Sequence, residues 1–286
     1  MPKGVPKAGF RRTKNRMTQE AMKFQPAAIS TETDAEIEAK LTDRFDVLKM
    51  LTEASLEGEA RSLIVSGPAG LGKSYTVEEA LKDWDPDENR STIIKGYVKP
   101  TGLYKTLWEF RHHGNVIVFD DSDDVFKDDV ALNMLKAVCD TTERRRVSYL
   151  AEFNMVDENA EVIPRTFEFN GTIIFISNMD WDGMIEQGKR MAPHLQAMIS
   201  RSHYIDLEMK TRRDYFIRIK QVVRQGLLSS RGLNDLDSAK VMKFIEDNQD
   251  VLRELSLRVA IKIADLYKSK PRDWERMAKI TCCKGG

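Results

Sequence analysis

Cysteine is scarce in this chain of 286 residues, which has only Cys139 and the adjacent Cys282 and Cys283. They fit neither a disulfide framework nor a zinc spacing. The four histidines, His112, His113, His194 and His203, have no carboxylate or cysteine at ligand spacing, which speaks against a structural metal. No apolar run approaches the roughly 20 residues that span a bilayer, so no membrane association is expected. The opening MPKGVPKAGFRRTKNRM is basic, but no apolar segment follows it. A secretory leader is therefore not expected, and a cytoplasmic location is. Net charge is missing as well: 45 Lys and Arg balance 45 Asp and Glu.

What is present suits a folded protein. Hydrophobic residues make up 41% and charged residues 31%, too apolar for a disordered chain, and the length fits one large domain or two smaller ones. The overall neutrality hides an asymmetry. Residues 1–30 hold seven basic residues against one acidic, residues 31–208 hold 20 against 34, and residues 209–286 hold 18 against 10. Basic ends around an acidic middle point to a polyanion partner or to head-to-tail complementarity between subunits.

Residues 1–33 carry Pro, Gly and basic residues without periodicity and read as a mobile arm. Over 34–56, Ile37, Leu41, Phe45, Leu48 and Leu51 recur at helical spacing. Short β-branched runs then alternate with helical stretches. Strands are expected at 62–67, 91–98, 115–120, 171–178 and 203–209, with helices over about 73–83, 102–111 and 129–139. This alternation marks an α/β fold, a doubly wound parallel sheet with helices on both faces. Two alternating runs around a polar tip at about 146–170 read as an inserted hairpin. Strand signals stop after 209, so 34–209 is expected to form the α/β domain and 210–286 a small all-helical one.

Gly67-Pro68-Ala69-Gly70-Leu71-Gly72-Lys73-Ser74 matches the phosphate-binding P-loop pattern in full, after an expected strand and at the start of an expected helix. Glycines let the backbone curl so that its N–H groups face phosphate oxygens, and the helix N-terminus adds partial positive charge. Lys73 suits the β and γ phosphates of ATP and Ser74 a Mg²⁺ ion, with Tyr75 next along the cradle. Val116-Ile117-Val118-Phe119-Asp120-Asp121 is a buried-strand run ending in paired carboxylates, a Walker B form. Asp120 is placed to hold Mg²⁺ and Asp121 to orient the attacking water. A strand that merely ends in a solvated acidic loop is the bland alternative, since Asp123, Asp124, Asp128 and Asp129 follow.

These two motifs resemble an AAA+ ATPase when taken with GTIIFISN, which ends in Asn178, LQAMISRSHYIDL, which holds Arg201, and the helical LSLRVAIKIADL. The likeness covers roughly residues 36–280. It implies a P-loop core with a C-terminal helical lid and ATP hydrolysis between neighbours of a homo-oligomer, a ring or partial ring such as a hexamer. By matching position, Asn178 resembles sensor 1, Arg201 the arginine finger given to the neighbour's nucleotide, and Arg258 the sensor 2 arginine of the lid. Plainer roles stand beside these: Asn178 capping a turn, Arg201 pairing with Asp206 or Glu208, and Arg258 pairing with Glu254. The chain departs from the family at Asp121, where most members have Glu, one methylene longer.

The stretch 101–136 also looks like AAA+ ATPases of tailed bacteriophages, which implies the host cytoplasm and DNA replication or recombination. Tyr97, Val98 and Lys99 sit where related ATPases project a pore loop, although a tyrosine packed on the core is the expectation here. The hairpin tip, with Asp157, Glu158 and Glu161, is acidic and would repel phosphate, which leaves a protein substrate open. DNA contact is expected instead from Lys3, Lys7, Arg11, Arg12, Lys14 and Arg16 in the arm, from Arg144, Arg145 and Arg146, and from Lys210, Arg212, Arg213, Arg218, Lys220 and Arg224 of the first lid helix. None of these runs is interleaved with aromatics, so any contact would be to phosphate.

Overall fold

Thr33 starts the first helix, α1 (Asp34–Leu56), with a capping box. Its Oγ1 accepts from the Glu36 N–H at 3.3 Å, and the Glu36 carboxylate accepts from the Thr33 N–H at 2.7 Å, satisfying two N–H groups that the helix leaves open. Residues 32–150, 154–157 and 159–285 are the described part of this computed structural model. The expected arm at 1–33 therefore lies outside it, apart from Glu32 and the capping Thr33.

From α1 the chain runs β1 (Ser62–Ser66), α2 (Lys73–Trp84), β2 (Ser91–Lys95), α3 (Pro100–Glu109), β3 (Val116–Asp120), a 3-10 turn (Asp123–Phe126) and α4 (Asp129–Val138). A hairpin of β4 (Arg146–Ser148) and β5 (Thr166–Glu168) follows, then β6 (Thr172–Ile176), α5 (Trp181–Glu186), α6 (Ala192–Ile199) and β7 (His203–Asp206). The helices α7 (Arg212–Arg224), α8 (Asp235–Asp247), α9 (Leu257–Ser269) and α10 (Trp274–Cys282) form the lid. The main sheet has the order β2-β3-β6-β1-β7, every pair parallel.

The strand period of two divides the core. Leu63, Val65, Val116, Val118, Ile174 and Ile176 face α1, α2 and the lid, whereas Ile64, Ile117, Phe119, Ile173 and Phe175 face α3, α4, α6 and the hairpin. The three central strands are buried along their whole length, so both faces need apolar side chains. Each fully buried Leu, Ile, Val or Phe contributes about 1.5–3 kcal/mol. The lid belongs to the first cluster without a break, through Tyr215, Ile219, Leu257 and Val259. No helix among the described residues is long and apolar enough to cross a membrane.

Several sequence expectations need correcting. The second strand stops at Lys95, because Gly96 takes φ +95° and turns the chain. Tyr97, expected to pack on the core, is 70% exposed, while its neighbour Val98 is buried. Arg145 is no surface cation: it is buried, and its guanidinium donates to the carbonyls of Val138 and Gly171, both at 2.8 Å. Arg144 and Arg146 both lie against Glu168. On the lid, Arg213 pairs with Asp34, Arg224 with Glu38 and Lys210 with Glu208, while Arg212 donates to the carbonyls of Gln249 and Leu252. The first lid helix thus spends much of its positive charge on α1 and on backbone carbonyls.

Candidate nucleotide site

The loop leaving β1 turns through Gly67, Gly70 and Gly72, at φ +142°, +78° and +100°. These are conformations that only glycine adopts without strain. Gly70 also meets the lid: a Cβ there would stand 2.7 Å from the Ser256 Cβ, and its carbonyl accepts from the Leu257 N–H at 2.9 Å. Within the loop Leu71 is buried and Pro68 and Ala69 are half-buried. Gly72 is the N-cap of α2 and offers no side chain to its first turn. The N-terminal N–H groups of α2 therefore stay open to an anion.

Lys73 lies inside this loop, 4% exposed. Its Nζ donates to the carbonyl of Gly67 at 2.6 Å, to that of Pro68 at 2.8 Å and to Oδ1 of Asn178 at 2.8 Å. Burial above all, with the nearby Arg258, lowers its pKa to about 8 against the opposing pull of Asp121 and Asp120. Asn178, just past β6, also donates through Nδ2 to Asp121. One amide thus joins the P-loop lysine to the end of β3.

Ser74 donates to Oδ1 of Asp120 at 2.8 Å, which brings together the hydroxyl and carboxylate expected to share a metal. Asp121 sits at φ +53°, a left-handed conformation that Asp tolerates better than most residues, and its N–H donates to the Ile176 carbonyl at 3.2 Å. Tyr75 lies on the rim, 64% exposed, and donates to Glu79. Arg258, from α9, lines the same cavity. That cavity, about 1130 Å³, lies between α1, α2, α7 and α9 and is large enough for a nucleotide.

Arg201 stands apart. It lines a separate cleft of about 550 Å³ together with Arg61, Asp140 and His203. Its Nε lies 3.4 Å from Oδ2 of Asp140, and Nη1 donates to the Ala197 carbonyl at 2.7 Å. The partner is Asp140 rather than the expected Asp206 or Glu208. The fold therefore brings Lys73, Ser74, Asp120, Asp121, Asn178 and Arg258 to one place and keeps Arg201 away from it.

Three further residues stand at the site: Lys95 and Arg218, which the sequence reading did not place there, and Asp123, which it named in the acidic run after Asp121. Lys95 ends β2 directly opposite Asp120 in the parallel register, its Nζ 3.2 Å from Oδ2 of Asp120 and 2.7 Å from Glu78. Asp123, in the turn after β3, has its carboxyl pushed up by burial, against hydrogen bonds from Ser177 and the Asn178 backbone. Arg218, assigned above to a nucleic-acid face, is buried and lines the large cavity. The strand register could have signalled Lys95, and the position of Arg218 three residues after Tyr215 on the apolar side of α7 was the available signal for burial.

No protein-family profile matches this sequence. A protein of Enterobacteria phage T4, described as an uncharacterized 36.7 kDa protein of the nrdC-mobD intergenic region, is 38% identical over 245 residues, 85% of this chain and 74% of that one. Among solved structures, a point mutant of RuvB from Thermotoga maritima superposes with a TM-score of 0.45 and 13% identity, covering 87% of this chain and 72% of that one. Domain III of the Thermotoga maritima replication initiation protein DnaA gives 0.46 and 14%, covering 85% and 90%. NtrX of Brucella abortus in complex with ATP gives 0.37 and 14%, covering 77% and 49%. The strand order, the glycine cradle around Lys73 and the helical lid docked on that cradle are features of this chain itself. At 38% identity over 85% of its length the chain belongs to one family with the phage T4 protein, and its parallel sheet, glycine cradle and helical lid form the fold that its sequence resemblance to AAA+ ATPases implies.

Proposed function

We propose that this chain, with its α/β unit at 34–209 and its lid at 210–286, binds and hydrolyses ATP with Mg²⁺ and works as a ring or partial ring. The observation that carries this reading is the single polar cluster of Lys73, Asn178 and Asp121 beside Ser74 and Asp120. The residues fit the groups they would hold. The uncapped start of α2 and the buried ammonium of Lys73 suit a triphosphate. The hard oxygens of Ser74 and Asp120 suit Mg²⁺, which when bound would neutralise charge on the phosphates. Asp121, held by Asn178, is the group positioned to orient water, and Arg258 supports the phosphates from the lid. Arg201, outside its own subunit's cavity, is offered to a neighbour.

The setting that we propose is phage DNA replication or recombination in the host cytoplasm, on the likeness to the T4 protein and on the basic segment at 1–30. A protein assembly as the target is a second reading. It is favoured by the exposed Leu150, Val156 and Val162 on and beside the hairpin, next to the acidic Asp157 and Glu161, and by exposed Tyr97. Phosphate turnover measured alone, with single- and double-stranded DNA, and with host protein extract tests both. Stimulation by DNA supports the first, stimulation by extract treated with nuclease supports the second, and no turnover under any condition removes the enzymatic reading.

A further inference from the structure

Arg218 is a buried charge without a counter-charge. It is 7% exposed, on the lid helix α7, yet it makes no ion pair among the described residues. Its neighbours are neutral. Nε approaches the Leu71 carbonyl of the P-loop at 3.4 Å, and Nη1 donates to Oε1 of Gln221 at 2.7 Å. Gln221 passes the chain on to Oγ1 of Thr42 at 2.6 Å, and the guanidinium carbon lies 3.4 Å from the centre of the Phe45 ring. Burial alone lowers its pKa, to about 10, which leaves it charged at neutral pH.

Such an arrangement is unfavourable on its own terms. A guanidinium removed from water needs an anion or a full set of acceptors, and this one has an amide oxygen and a long contact to a carbonyl. The Phe45 ring face gives the guanidinium a cation–π contact but neither an anion nor a hydrogen-bond acceptor. The missing anion has an obvious place. Arg218 lines the nucleotide cavity, and its Nη2 lies 3.7 Å from where a Cβ on Gly72 would stand, beside the uncapped first turn of α2. Two independent features, a helix N-terminus without a cap and a buried cation whose partners are all neutral, thus converge on one anion.

We propose that Arg218 is a second lid cation for the nucleotide, contacting its phosphates from α7 at the Leu71–Gly72 side of the loop and so drawing the lid onto the occupied P-loop. This rests on the reading of the cavity as a nucleoside triphosphate site. It assigns a role to a side chain on a different helix from Arg258, and the chain of contacts through Gln221 and Thr42 carries the occupancy of the loop to α1.

Two variants of the full chain test it. Arg218→Met keeps the apolar packing and removes the charge. Its affinities for ATP and ADP with Mg²⁺ are expected to fall about ten- to hundredfold in calorimetry, the range for a charged hydrogen bond, while the melting temperature without nucleotide holds or rises. Adenosine, measured by competition, should bind both proteins alike. Gln221→Glu leaves Arg218 in place and supplies an internal anion, so it should raise the nucleotide-free melting temperature and weaken ATP binding about tenfold. Should Arg218→Met fail to fold, Gln221→Glu decides. ATP affinity unchanged within about twofold in the folded variants overturns the proposal. Equal losses for ATP and adenosine also overturn it, in favour of a base-stacking role. Wild-type protein that binds no ATP overturns the nucleotide reading itself, a result distinguishable from the other two.

Discussion

The two clefts of the molecule treat their cations in opposite ways. In the large cavity the buried Lys73 and Arg218 hold carbonyl and amide oxygens, and neither makes an ion pair among the described residues. In the smaller cleft Arg201 lies against Asp140, with both side chains about one-third exposed, at 32%. The first site leaves these two buried cations without an ion-pair partner, which favours an anionic ligand beside them. The second is neutralised within its own subunit and wet enough to open at small cost. A ligand completes the one, and on the proposed reading a neighbouring subunit completes the other.

The largest effect that would break this contrast concerns Arg201. An arginine finger is worth roughly 10³–10⁵ in rate, so Arg201→Ala should lose at least about 10³ in turnover while its ATP affinity stays within about twofold. Mixed with Lys73→Ala subunits it should recover part of the activity, because a mixed interface pairs an intact loop with an intact finger. Full activity of Arg201→Ala in a phosphate-release assay would return the residue to its ion pair with Asp140. Asp121→Asn should keep ATP binding and lose about 10²–10⁴ in turnover, the usual contribution of a positioned base. Wild-type turnover in that variant would pass the task to Asp123, which lies in the turn directly after β3. Lys73→Ala should weaken ATP binding about a hundredfold or more in calorimetry, since it removes the charge facing the phosphates.

A pH series sharpens the comparison further. Lys73 titrates at about 8 in the folded chain against about 10.4 for an ordinary lysine, so between those values the unfolded chain binds more protons. Stability without nucleotide should therefore rise from pH 8 toward pH 10, and Lys73→Met should flatten that rise in thermal melts. Phosphate needs the charged form, so ATP affinity should fall above about pH 8, by at most about tenfold per pH unit. The smallest effect belongs to the second cleft. Asp140→Asn should cost at most about 1 kcal/mol in chemical denaturation, whereas a larger loss would mean that Arg201 is held as firmly as the cations of the large cavity.

Much of this was legible in the chain before any coordinates. The alternation of β-branched runs with helical spacings marked the five parallel strands, because a strand buried on both faces has no place for polar residues. The string around Lys73 marked the cradle, because only glycines and a helix start can aim that many N–H groups at one point. The same local chemistry placed Asp120, Asp121 and Asn178, each at the end of a strand that the sheet brings to one edge. The fate of charges was not legible. Arg145, Arg218 and Arg224 look alike in sequence, yet Arg145 is locked between the Val138 and Gly171 carbonyls, Arg224 reaches Glu38 across 186 residues of chain, and Arg218 crosses 147 residues to the P-loop. The parallel register set Lys95 against Asp120, and the sheet order carried Arg201 away from its own cavity. Local spacing determines which face of a strand or helix a residue occupies. Which distant face it meets, and so whether a cation is solvated, paired or left waiting for an anion, was decided by the docking of the lid and α1 on the sheet.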